Sequence, residues 1–279
     1  PQKVPDRFNL NLNQRKAIYI PYPQAVPLVY TIDKEHCTYF TKGKCRVCEK
    51  VCKNKAVVFD QQDEIITLDT GALILAGGFE LFDARFKGEY GYGQWPNVIT
   101  SLEYERLLSA AGPCRGRIQR LSDGEVPRRI AWIQCVGSRD SHLGNDYCSG
   151  VCCMSATKQA LITKEHAGDI DTSIFFIDMR AHGKGFDRFY ERSKSDNNVR
   201  YVRSLISRVV PNPEDDTLNI SYAAPGHDLK EETVDMVVLS VGLRPNVSTV
   251  KLTERLGLPL NDYGFCASDP LDLVTTANP

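Results

Sequence analysis

The chain has 279 residues, with 34 Lys plus Arg against 35 Asp plus Glu and ten cysteines. Balanced charge leaves no overall electrostatic footprint for nucleic acid or an anionic membrane, and no apolar run approaches the ~20 residues of a membrane span. The length suits one large or two modest domains and a sizeable core, so the cysteines are not needed as staples of a small secreted fold.

Along the chain, the first marked feature is a set of four cysteines, Cys37, Cys45, Cys48 and Cys52. Four thiolates are what an iron–sulfur cluster takes, and Cys45-x2-Cys48-x3-Cys52 is the tight half of a bacterial ferredoxin motif. The final step places Cys52 about one helical turn beyond Cys48. The segment Lys53–Asp60 then predicts a short strand. Two features depart from the ferredoxin pattern: Lys53 stands where proline usually follows, and seven residues separate Cys37 from Cys45. Structural zinc is the competing reading, although zinc knuckles usually pair two CxxC units and only one is present.

Thr70–Phe79 reads as an apolar strand running into the paired glycines Gly77 and Gly78. It resembles the strand that passes close to FAD in two-dinucleotide-binding flavoproteins. Glycine suits such a place because it lets a backbone approach without a Cβ; a buried strand with a tight turn is the plainer alternative. The expected flavin-facing residues are Ala76, Gly77, Gly78 and Phe79, with Gly242 at a corresponding later turn.

Arg129–Gln134 predicts a second strand, Cys153 to about His166 a helix closed near Gly168, and Ser173–Asp178 a third strand. This strand–helix–strand unit opens a nucleotide-binding half. Val199–Val210 and Thr217–Tyr222 predict a small sheet layer. Val234–Asn246 predicts a strand ending in a Gly-x-x-Pro-Asn turn that resembles thioredoxin reductase relatives.

Where the first strand of such a half would meet GxGxxG, the chain has Cys135, followed by Cys148, Cys152 and Cys153. The glycine fingerprint that holds a dinucleotide pyrophosphate is absent. A four-thiolate cluster is anionic, as a pyrophosphate is, and the helix beginning at this point offers N–H groups and a positive dipole end. One anion would replace another in the same socket. The alternative is that Cys152 and Cys153 are small buried hydrophobes. Cys114 and Cys266 belong to neither set and read as structural thiols.

Three segments carry a more specific resemblance: KAIYIPYPQAVP (16–27), CVGSRD (135–140) and YCSGVCCMSATKQA (147–160). Together they resemble the heterodisulfide reductase A-subunit family, along almost the whole chain. The resemblance implies an α/β, thioredoxin-reductase-like flavoprotein fold with an inserted ferredoxin-like module. It divides the chain into part of an FAD domain (1–30), the inserted module (31–66), the remaining FAD half and linker (67–125), a degenerate NAD(P)-type domain with the second cluster (126–246) and a return to the FAD domain (247–279). It implies two [4Fe–4S] clusters, FAD in the complete protein, and electron transfer with bifurcation at the flavin. The implied partners are the other proteins of such a complex and ferredoxin or hydrogenase- or dehydrogenase-type donors, in the cytoplasm. The N-terminal FAD fingerprint is absent, so the chain is expected to be an internal fragment that binds FAD weakly when alone. No catalytic side chain stands out. A zinc-binding interaction module and an NAD(P)H-dependent disulfide reductase are the other function classes.

Overall fold

A computed structural model describes residues 3–223, 226 and 228–269. The last ten residues of the expected return to the FAD domain, 270–279, lie outside the described residues. The N-terminal part is built from short pieces. Strand β1 (Lys3–Pro5) pairs antiparallel with β2 (Gln14–Lys16), and β3 (Ile18–Tyr19) with β4 (Thr31–Ile32). Two five-residue helices follow, α1 (Thr38–Lys42) and α2 (Val47–Val51). Residues 53–58, predicted to contain a strand, form neither helix nor strand. Instead Phe59 closes this module by packing on Tyr39 and Phe40, with ring centroids at 4.3 and 5.8 Å.

The strand predicted at 70–79 is confined to its last residue: β5 spans Phe79–Leu81. Residues 70–78 are outside any regular element, and Leu73 and Ile74 are 66% and 92% exposed. An apolar run becomes a strand only when neighbours accept its backbone hydrogen bonds and cover its side chains. No such neighbour is present among the described residues.

The main body follows: β6 (Val98–Thr100), α3 (Ser101–Leu108), β7 (Arg129–Val136), α4 (Cys152–His166), β8 (Asp171–Phe176), α5 (Phe186–Ser195) and β9 (Arg200–Arg203). Then come β10 (Ile206–Pro211), β11 (Leu218–Ala223), β12 (Leu229–Val234), β13 (Met236–Val241), β14 (Leu243–Pro245) and α6 (Val247–Arg255). A five-stranded parallel sheet has the order β6-β13-β7-β8-β9, and β10-β11-β12 form a separate antiparallel sheet. The predicted 199–210 segment is thus divided: its first half joins the parallel sheet and its second the small sheet. The predicted 234–246 strand also divides, with β14 turning away to pair with β5.

Alternation along β7 explains the layering. Ala131 and Ile133 face the core under the small sheet with Val209 and Ile220, while Ile130 and Trp132 face the helices with Tyr104 and Ala156. Trp132 is fully buried, sits edge-on to Tyr104 at 5.4 Å and donates from Nε1 to Gln159 Oε1 at 3.0 Å. Helix α4 reaches the sheet closely through Ala156 and Ala160, and its buried polar residues are satisfied: Thr163 Oγ1 bonds Tyr104 at 2.6 Å. Helix α3 starts with a capping box in which Thr100 and Glu103 exchange hydrogen bonds.

This is a dinucleotide-binding α/β topology. Connections run from β7 through α4 to β8 on one side, and β13 lies on the other. The carboxyl end of β7 is therefore at the switch point where such sheets bind ligands.

Candidate iron–sulfur sites

Cys135 occupies that switch point. Leu239 pairs with Ile133 and Val241 with Val136, so β7 holds one more residue than β13 over this stretch. The resulting bulge falls at Gln134 and Cys135, and Cys135 takes a left-handed φ of 61°. A bulge of this kind re-aims a side chain out of the ladder. The loop that follows is pinned tightly. Arg139 N–H donates to Tyr147 O at 2.9 Å, Asn145 Nδ2 to Gly137 O at 3.0 Å, and Leu243 N–H to Ser149 Oγ at 2.9 Å. Tyr147 OH reaches Leu243 O at 2.8 Å.

This loop brings Cys148 back to Cys152 and Cys153, which open α4, beside Cys135. Burial pushes the Cys135 thiol up to about 11 and the Cys152 thiol up to about 12, and neighbouring members of the set add to both. Burial also raises Cys153, opposed by the Arg180 backbone N–H. Thiols raised in this way keep their protons near neutrality unless a cation takes their place. Donors to sulfur are already placed: Gly150 N–H is 3.4 Å from Cys148 Sγ. The donor set therefore fits a thiolate-bound metal centre, with the N-terminus of α4 behind it.

Three residues missed in the sequence complete this site. Arg139 lies against Cys135 and favours its thiolate. Asp178 holds Arg139 in an ion pair and approaches Arg180 Nη2 at 3.5 Å. Arg139 lies within the CVGSRD motif, but only the fold brings Asp178 and Arg180 from beyond β8 to meet it.

The first set is arranged differently. Cys37 caps α1, Cys48 lies within α2, Cys52 ends it, and Cys45 precedes it with φ 105°. Ala56 N–H donates to Cys52 Sγ at 3.4 Å. Cys48 and Cys52 line a cavity of about 690 Å³ whose other walls include Ile18, Tyr30 and Phe40. Cys45 is exposed, whereas Cys37, Cys48 and Cys52 are half-buried. Among the described residues, the one group of at least three His, Cys, Asp or Glu with donor atoms within 4.8 Å of one another is Asp33, Glu35 and His36. Asp33 is already engaged there by Arg15 at 2.8 Å and His36 at 3.0 Å. Neither cysteine set is drawn to the sulfur spacing of about 3.8 Å that a tetrahedral zinc with bonds near 2.3 Å requires.

Five residues are predicted to face a flavin. Ala76, Gly77, Gly78 and Phe79 are exposed. Gly77 nonetheless makes a close approach, to Thr249 of α6: a Cβ on Gly77 would run into the Thr249 side chain. Gly242 is buried, and a Cβ there would meet the Gly137 carbonyl at 2.7 Å. That glycine accommodates the loop of the second cysteine set. Cys114 packs beside the helix-side core, and Cys266 is exposed.

No family model matches the chain. It is 44% identical over 267 residues to the iron–sulfur A-subunit of the CoB–CoM heterodisulfide reductase of Methanocaldococcus jannaschii, covering 95% of this chain and 40% of that relative. The A-subunit of the H2:CoB–CoM heterodisulfide, ferredoxin reductase of Methanothermobacter thermautotrophicus is 42% identical, with the same two coverages. The A-subunit of the ferredoxin/F420H2-dependent CoB–CoM heterodisulfide reductase of Methanosarcina acetivorans is 39% identical, over 96% of this chain and 33% of the relative. Among solved structures, T. acidophilum thioredoxin reductase aligns with TM-score 0.40 and 15% identity, over 72% of this chain and 52% of that one; the fold assignment rests on the strand order itself. No helix among the described residues is long and apolar enough to cross a membrane. With identity of this level along 95% of its length, and spanning about 40% of the first two relatives, the chain belongs to the heterodisulfide reductase A-subunit family.

Proposed function

We propose that this chain is the part of an oxidoreductase that carries electrons between FAD and two [4Fe–4S] clusters. Cys37, Cys45, Cys48 and Cys52 would hold one cluster, and Cys135, Cys148, Cys152 and Cys153 the other. The single observation supporting the reading is the gathering of four thiols, Cys153 buried and the other three half-buried, at the bulge of β7 and the start of α4. This is the socket where a dinucleotide-binding domain otherwise holds a pyrophosphate. Cubane clusters supply one-electron steps; the protein's own share is to bury, orient and hydrogen-bond the sulfurs. The flavin would lie along Ala76–Phe79 in the complete protein, where it could split or route electron pairs. The partners in this reading are the other proteins of a heterodisulfide-reductase-like complex in the cytoplasm, and ferredoxin or hydrogenase- or dehydrogenase-type donors; the naming of relatives for heterodisulfide, ferredoxin and H2 supports it.

Anaerobically prepared protein should contain about eight irons per chain, four for each cysteine set. Cys48→Ser and Cys153→Ser should each remove about half, read by iron analysis and EPR of the reduced protein. Full iron content in both variants, or zinc in either set, would refute the two-cluster reading.

A further inference from the structure

One buried polar pair beside the second cysteine set is only half satisfied. Gln134 and Ser240 are 5% and 1% exposed. Gln134 Nε2 donates to Ser240 Oγ at 3.0 Å, while Gln134 Oε1 has no hydrogen-bond partner among the described residues. An enclosed acceptor without a donor costs free energy, and such an orphan in a native fold calls for a reason. The rungs below on the same sheet face pair Trp132 with Val238 and Ile130 with Met236. Apolar side chains would therefore serve packing at this level too.

The pair lies under the start of α4. Ile130, Trp132, Met236 and Val238 face the helices in one core with Ala156 and Ala160. Gln134 and Ser240 continue that face toward the carboxyl ends of β7 and β13, with Ser240 opposite the bulge. Two strand residues advance about 6.6 Å, close to the ~5.4 Å of one helical turn. One turn before Ala156 on the same helix face is Cys152. Its Sγ is 3.7 Å from the carbonyl oxygen of Val241, the residue after Ser240. Gln134 itself is followed directly by Cys135. The enclosed amide thus has two members of the second set as neighbours, one along the chain and one across from β13.

Resting on the reading of Cys135, Cys148, Cys152 and Cys153 as a cluster site, we propose that the Gln134 amide donates a hydrogen bond to sulfur of that cluster, and that Ser240 holds the amide in place to do so. Turning the amide over about its terminal bond lets Oε1 accept the Ser240 hydroxyl proton and carries Nε2 to the position of the unpartnered oxygen. That exchange satisfies the pair only when an acceptor faces Nε2, and the sulfur of an anionic centre is one. A hydrogen bond to cluster sulfur favours the reduced, more negative form and so raises its potential. An ordinary buried hydrogen-bonded pair would explain the contact between Gln134 and Ser240, but not the bare oxygen left beside a set of thiols.

The test uses the cluster-loaded protein with glutamine labelled by nitrogen-15 in its side-chain amide. Pulsed EPR of the reduced second cluster should show a nitrogen-15 hyperfine coupling that is lost in Gln134→Met, a substitution of similar length without a donor. Redox titration of that variant should show the midpoint potential of the second cluster lowered by about 59 mV, a tenfold change for a one-electron couple, with that of the first cluster unchanged. Ser240→Ala should give a smaller shift in the same direction, because the amide is no longer held. The wild-type coupling needs no variant, so the proposal stays open to refutation even if Gln134→Met fails to load. A fully loaded second set without the coupling, or with an unmoved midpoint in Gln134→Met, would overturn the proposal and leave the cluster reading standing. A second set without iron in the wild-type protein would overturn both.

Discussion

At the scale of single residues, the two cysteine sets differ in what surrounds their sulfurs. The first set has backbone donors and open water, with Cys45 at the surface. The second has Cys153 buried and its other members half-buried, with a guanidinium against Cys135, fixed by Asp178. A positive charge beside an iron–sulfur centre stabilises its reduced, more negative form, and so raises its potential. Arg139→Gln should therefore lower the midpoint potential of the second cluster by about 59 mV, a tenfold change for a one-electron couple. Asp178→Asn should move it the opposite way by releasing the charge it partly offsets. EPR-monitored redox titration reads both shifts; equal midpoints for wild type and Arg139→Gln would show that the guanidinium has only a packing role. Cys135 and its neighbours are recognisable from residue type and crowding alone. Arg139 is visible but mute, because its role depends on an aspartate 39 residues away.

At the scale of elements, α4 links the fold to the chemistry. Its start at Cys152 matches the helix read from the sequence, because Ala, Gln, Lys, Leu and Met favour helix and the preceding Gly150 marks a boundary. Its buried face is harder to read, since Thr157, Gln159 and Thr163 are fully or nearly fully enclosed there. Polar residues can line a core when each finds a partner: Gln159 meets Trp132 of β7 and Ser101 and Glu105 of α3, Thr163 meets Tyr104 of α3, and Thr157 meets Tyr201 of β9. The N-terminus of α4 points at the cysteines where a dinucleotide-binding helix points at pyrophosphate. NADH and NADPH should accordingly show no saturable binding at micromolar concentration, measured by fluorescence titration of cluster-loaded protein. Saturable binding that competes with the cluster would mean that the socket is still a nucleotide site. The strand predicted at 70–79 shows the opposite case. Its composition is right for a strand, yet only Phe79 joins one, through pairing with Pro245 on β14.

At the scale of the whole molecule, that same segment ties the redox sites to the rest of the fold. Gly77 lies against Thr249 of α6, which follows β14 directly after the turn beside the second cysteine set. A methyl group at Gly77 must displace the Thr249 side chain, and overpacking of this kind costs about 1–3 kcal/mol. Gly77→Ala should lower stability by that amount in chemical denaturation, and Thr249→Ala should recover part of the loss in the double variant. Additive losses would show that the two residues do not share a contact. Neither cysteine set draws a ligand from this segment, so the single variant should keep its full iron content. Gly77→Val in the complete protein should then lose flavin without losing iron.

What the sequence determined by itself was the grouping of eight cysteines into two sets of four, the helix that begins at the second set, and the main strands of the parallel sheet. These are written in local terms: cysteine spacing, hydrophobic runs of the right length and glycine boundaries. Tertiary structure alone decided the rest. It split 199–210 between two sheets, because the polar-bracketed break between β9 and β10 lets each half satisfy a different partner. It put the bulge at Cys135, through a register shift that only pairing with β13 defines. It collected Asp178 and Arg180 around Arg139, and left Val47 and Val51 exposed on α2. Pairing and burial are properties of two surfaces meeting, and a single segment carries only half of each.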